Sequence, residues 1–156
     1  MRPLTWSDLF IGDPEDVDVW ELLSLWPHVT GQLKPIGASV FGDLYFERAD
    51  GRVERLDVFD GEIQFVADSV QDFAACMNSQ QWQHDNLFTE GVMLLMERGI
   101  VRGPGQLFLF TPHPGLAGKF DWDTVKPVSA RVLHMIHAQI GPLQGQAAND
   151  GSENGQ

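Results

Sequence analysis

Residues 44–67, LYFERADGRVERLDVFDGEIQFVA, decide the fold. Leu44 and Phe46 lie before Asp50-Gly51, and Val53 and Leu56 lie after it. Asp-Gly takes up the positive φ angles of a tight hairpin turn, so the two flanking runs read as paired strands. Asp60-Gly61 repeats the turn signal, and a further strand is expected from Glu62 to Val66. Three successive strands joined this way form an antiparallel meander.

Upstream, in GDPEDVDVWELLSLWP (12–27), Asp13 reads as an N-cap, Pro14 suits the first helical position, and Glu15 and Asp16 complement the helix dipole. Val19, Leu22, Leu23 and Trp26 then recur on one face, and Pro27 stops the helix. Downstream, Ser69 with Asp72 resembles a capping box, opening a helix whose inner face is Val70, Phe73, Ala74 and Met77, with Cys76 beside it. DNLFTEGVMLLMERG (85–99) predicts another helix, capped by Asp85, ended by Gly99 and interrupted by Gly91. GQLFLF (105–110) reads as a buried strand, and Ser129 as the cap of a last helix with Leu133, Ile136, His137 and Ile140 facing inward. The order of elements implies an α+β fold: a single domain over 1–141, mostly antiparallel sheet with helices packed on it. Residues 142–156 lack apolar periodicity and are expected to form a disordered C-terminal tail.

The chain has 156 residues, 43% of them hydrophobic, which suits one globular domain. No apolar run approaches the length of a membrane span, so no membrane partner is expected. One cysteine and an N-terminus without a secretory pattern favour a cytoplasmic location. Twenty-two acidic against ten basic side chains give a net charge of −12, which repels nucleic acid and attracts basic partners.

The motifs point away from catalysis. In FTPHPGLAGKFDWD (110–123), Gly115 to Lys119 imitates a phosphate loop, but two residues separate its glycines where four are needed, and Phe120 stands where a magnesium-binding Ser or Thr belongs. His134 and His137 share a helix without a third metal ligand, and Cys76 sits on a helix face, where a packed thiol is inert. Asp57 with Asp60, and Asp121 with Asp123, sit at turns where exposed carboxylates are expected, and Asp57, Asp60 and Glu62 lack the spacing of a calcium loop. No catalytic residue, metal or cofactor is therefore expected.

Residues 26 to 140 resemble a bacterial family. The resemblance is carried by Phe41-Gly42-Asp43-Leu44, by Leu56-Asp57, by Ala67-Asp68-Ser69 before the acidic-aromatic pair Asp72-Phe73, and by Phe110, Pro112, Leu116 and Gly118. These segments look like the immunity proteins that protect type VI secreting bacteria from their own DNase effectors, a family related to GAD-like domains. The resemblance implies a cytoplasmic protein that binds and neutralises a cognate, basic, nuclease toxin without catalysis. A general intracellular interaction module is the alternative, and a small metal-dependent hydrolase the third reading. For the contact surface the expectation is Asp121, Trp122 and Asp123, with Asp57, Asp60 and Glu62 as an acidic rim. Trp122 is either an exposed anchor between two carboxylates or a core aromatic folded back onto the sheet. An interfacial aromatic of the first kind contributes about 2 kcal/mol or more of binding free energy.

Overall fold

The computed structural model describes residues 2–13, 16–111 and 114–140, with the backbone alone at 115 and 116. It is an α+β domain with a five-stranded antiparallel sheet in sequential order, β1 (Phe10–Gly12), β2 (Leu33–Ser39), β3 (Leu44–Arg48), β4 (Val53–Leu56) and β5 (Ile63–Ala67). The expected meander is its β3–β4–β5 half. At its first turn, Gly51 has φ +93°, and Arg48 donates to Arg52 at 2.8 Å to close the hairpin. Strands β1 and β2 extend the meander, and Pro35 is accommodated in β2 because a bulge beside it leaves Ile36 without an opposite residue. A second bulge sets Val66 out of the β4–β5 register.

Both faces of the sheet are covered, and that explains the run Val40–Phe46, buried throughout instead of alternating. Leu44 opposite Leu56 looks into the main core. That core is completed by α1 (Val19–Leu23), α4 (Thr89–Glu97), a two-stranded sheet of β6 (Gln106–Phe110) and β7 (Val125–Ser129), and a helix α6 over 130–140. The opposite face carries Tyr45 and Val53 against Phe73 of α2 (Val70–Met77), with Trp82 of α3 (Gln80–Leu87) beside them. Phe108 donates to the Val40 carbonyl at 2.9 Å, tying the small sheet to the turn between β2 and β3.

Several expectations change at the helices. Asp18, not Asp13, caps α1, accepting from Glu21 N at 3.1 Å; Asp13 instead reaches in to accept from Val19 N at 2.8 Å. Pro14 and Glu15 lie outside the described residues, as do Pro112, His113 and the tail expected from 142. Asp85 does not begin a helix but lies inside α3, and the break falls at Phe88, whose φ is +55°. A bulky residue in that conformation stores about 1–3 kcal/mol of strain, held here by the packing of its ring. Val70 faces outward rather than inward. Ser69 does cap α2, accepting from Asp72 N at 3.0 Å, and Ser129 caps α6, accepting from Val132 N at 3.2 Å. Part of the opening loop, Pro114–Ala117 (α5), is a single helical turn closed by Gly118 N on the Pro114 carbonyl at 2.8 Å. Among the described residues no helix is long and apolar enough to cross a membrane.

Candidate functional site

The turn between β4 and β5 folds on its own carboxylates. Asp57 accepts from Phe59 N at 2.9 Å and Asp60 from Glu62 N at 2.8 Å, while the Asp57 amide donates to the Glu62 carbonyl at 2.9 Å. His28 Nε2 donates to the Gly61 carbonyl at 2.7 Å, fixing the turn from outside. From within, the buried Asp43 accepts from Val58 N at 3.0 Å. Burial pushes the Asp43 carboxyl up to about 7, and the charges of Asp57 and Asp60 add to the effect against the opposing pull of Arg55. Burial also raises Asp60, with Asp57 and Glu62 contributing. These carboxylates therefore share one field.

Arg55 does not neutralise the group by direct pairing. Its guanidinium donates to neutral acceptors, Gln64 Oε1 at 3.0 Å, Asn86 Oδ1 at 2.8 Å and the Tyr45 hydroxyl at 3.4 Å.

The second expected patch adjoins the first. Phe59, in the acidic turn, meets Phe120 edge-on at 5.0 Å between ring centroids, and Phe120 continues the aromatic contacts to Phe110 at 5.3 Å and Phe88 at 5.6 Å. Trp122 closes the cluster against Phe110 at 5.0 Å and Phe41 at 5.6 Å. It is half-buried, so it is floor rather than protruding anchor; the ring left outside is Phe120, 43% exposed. Gly91 makes this possible, since a Cβ there would stand 2.0 Å from the Trp122 ring. The interruption in the α4 sequence is thus the seat of an indole.

Asp121 accepts from Asp123 N at 3.1 Å, and the exposed Asp123 pairs with Arg98 at 2.6 Å. Beside the indole lies an open hollow of about 320 Å³, walled by Phe88, Gly91, Leu94 and Trp122 and edged by His84 and Glu90. His84 bridges Asp85 and Glu90 at 3.2 Å each, and its imidazole is raised in pKa by the Asp85 hydrogen bond and by the charge of Glu90. The two expected patches are thus joined through Phe59 and Phe120, with Trp122 inside the aromatic cluster. Sequence reading missed Phe120, Glu90 and the hollow itself, although Gly91 inside an apolar helix was a signal that something packs closely there.

The two histidines of α6 are both buried. His134 is fully buried, its Nδ1 accepts from Trp26 Nε1 at 3.0 Å, and its Nε2 faces the Gly42 backbone without a hydrogen bond of normal geometry. Burial lowers this imidazole to about 3, so it stays neutral. His137 is buried against Phe59, with ring centroids 5.4 Å apart. Cys76 is half-buried on α2. Among the described residues no three His, Cys, Asp or Glu side chains come together to hold a metal ion. A further hollow of about 350 Å³ near Val92 and Phe108 is rimmed by charges of both signs in balance, Arg2 with Asp8 and Arg102 with Asp16, and so carries no acidic excess. The accessible chemistry is thus an acidic, aromatic-floored surface. No family model matches the chain, and no curated protein matches it.

Proposed function

We propose that this chain is an immunity protein that binds a cognate, basic nuclease toxin of a type VI secretion system in the cytoplasm and neutralises it by occupation, without catalysis. The observation that carries the reading is the acidic turn Asp57–Glu62, packed through Phe59 against the aromatic cluster, with Glu90 and Asp123, held by His84 and Arg98, farther round it. A lysine or arginine of the partner would lay its stem on Trp122 and Phe88 and bring its head to Glu90, while Phe120 enters an apolar recess of the partner. A nuclease presents basic groups around its DNA cleft, and the net charge of −12 steers such a partner toward this surface.

The test is a titration of the protein with the toxin encoded beside its gene, followed by Trp fluorescence and calorimetry at two salt concentrations. A tight 1:1 complex that weakens with salt, and rescue of cells expressing the toxin, are expected. Combining Phe120→Ala with Glu90→Gln should raise Kd by about 100-fold; the variant should also melt lower, because Phe120 packs edge-on against Phe59 and Phe110, so Kd is read well below its melting temperature. Full rescue and unchanged Kd in that variant would remove this surface from the interface; absence of any bound toxin would overturn the function.

A further inference from the structure

We propose that β5 is a docking edge on which an extended segment of a partner adds as a sixth antiparallel strand, and that the segment is a short β-forming run flanked by lysine or arginine. The inference does not depend on the partner being a toxin.

The two edges of the sheet differ. Strand β1 has three residues and ends in Gly12, whereas β5 presents Ile63-Gln64-Phe65-Val66-Ala67, without a charge or a proline. Among the described residues the β5 backbone hydrogen-bonds to β4 alone. Phe65 shares the main-core face of the sheet with its opposite residue Glu54, yet it is 60% exposed because the core stops short of it. Proteins ordinarily blunt such an edge with lysine, proline, extreme shortness or a bulge, and of these β5 has the bulge. Here the bulge at Val66 limits the regular stretch to Ile63–Phe65, which shortens the docking strand without closing the edge.

Charge selects the occupant. Glu62 and Asp68, both exposed, bracket the strand. In a second copy paired antiparallel about Phe65, Glu62 would face Asp68; paired about Gln64, Asp60 would face Asp68. Either register sets like charges against each other across the new ladder, which is destabilising. A strand with basic flanks turns the same positions into opposite-charge pairs. In these two central registers the edge therefore favours a basic guest over its own copy.

The probe is a capped hexapeptide, Lys-Thr-Val-Thr-Val-Lys, compared with a twin carrying Glu at both ends, each titrated into the full chain while amide exchange is followed residue by residue. The expected result is slowed exchange confined to β5 and an affinity for the Lys peptide about ten-fold or more above that for the Glu twin. Phe65→Lys, at an exposed position, should keep the fold and weaken Lys-peptide binding about ten-fold; the pair Glu62→Gln with Asp68→Asn should erase the preference between the two peptides. Equal binding of both peptides, or no protection of β5 at saturating peptide, would overturn the proposal. So would a dimer in sedimentation that Phe65→Lys dissociates, because the edge would then belong to a second copy.

Discussion

The two regions around Asp43 and His134 both bury an ionisable side chain completely, and they do so to opposite effect. His134 sits among apolar neighbours, bonded by the Trp26 indole, and burial holds it neutral. Asp43 lies under a surface turn, bonded to Val58 N and within the field of Asp57 and Asp60. The first region is isolated from the outside, and its polar pair locks α6 to the segment after α1. The second transmits surface charge inward. The contrast teaches that a buried polar group serves the fold alone when its partners are also buried, and reports on the surface when its neighbours are solvent-facing charges.

The largest way to break the comparison is Trp26→Ala, which removes a fully buried indole and leaves His134 Nδ1 without a donor. It should cost about 3–5 kcal/mol in urea unfolding, whereas Asp43→Asn, which keeps an acceptor for Val58 N, should stay within about 1 kcal/mol at pH 5. Next comes Gly91→Ala at the aromatic floor of the acidic region. Its methyl group has no room against Trp122, and a loss of about 1–3 kcal/mol is expected, with most of it recovered when Trp122→Leu is added.

Titration sharpens the contrast through its sign. The folded-state value of Asp43, about 7, stands above the ordinary carboxylate value, so the native chain keeps a proton the unfolded chain has lost. Its contribution is present at low pH and is lost as pH rises from about 4 to about 7. His134, held at about 3, stands below the ordinary imidazole value, so acid protonates the unfolded chain first; its contribution is present above about 6.5 and is lost as pH falls toward 3. Between about pH 4 and 6.5 the two slopes oppose each other. Asp43→Asn should unmask a profile that rises with pH by up to about 1.4 kcal/mol per unit there, and His134→Gln should leave one that falls; urea midpoints across that range read both. The smallest effect is at Arg98→Gln, where an exposed ion pair with Asp123 is lost at a cost of about 0.5 kcal/mol or less, measurable only in a double-mutant cycle.

The legible parts of this fold were those written in local chemistry. Asp50-Gly51, Ser69 with Asp72, and the apolar run of β6 each carry their instruction within a few residues. What escaped depends on distant partners. Strand β2 contains Pro35 and Gly37 and has little strand propensity of its own, but it is paired on both sides. Strand β7, with Pro127, exists because β6 supplies its ladder. Helix α3, QQWQHDNL, shows no apolar stripe; Trp82 and Leu87 suffice to seat it. The break at Phe88 puts a bulky residue where glycine or asparagine would be anticipated. At the candidate surface, the acidic positions were readable from their turns, but whether Trp122 protrudes or lies flat is set by Gly91, on another helix.

The turn carboxylates have a consequence for divergence between lineages. Asp57, Asp60 and Asp121 each commit an oxygen to a nearby amide, so a codon change there alters the loop that displays it as well as the charge displayed. Glu62, Glu90, Lys119 and Phe120 are exposed side chains that, among the described residues, hold no backbone group. Drift that follows a changing partner would collect first at Glu62, Glu90 and Lys119, whereas Phe120, packed edge-on against Phe59 and Phe110, is tied to the framework.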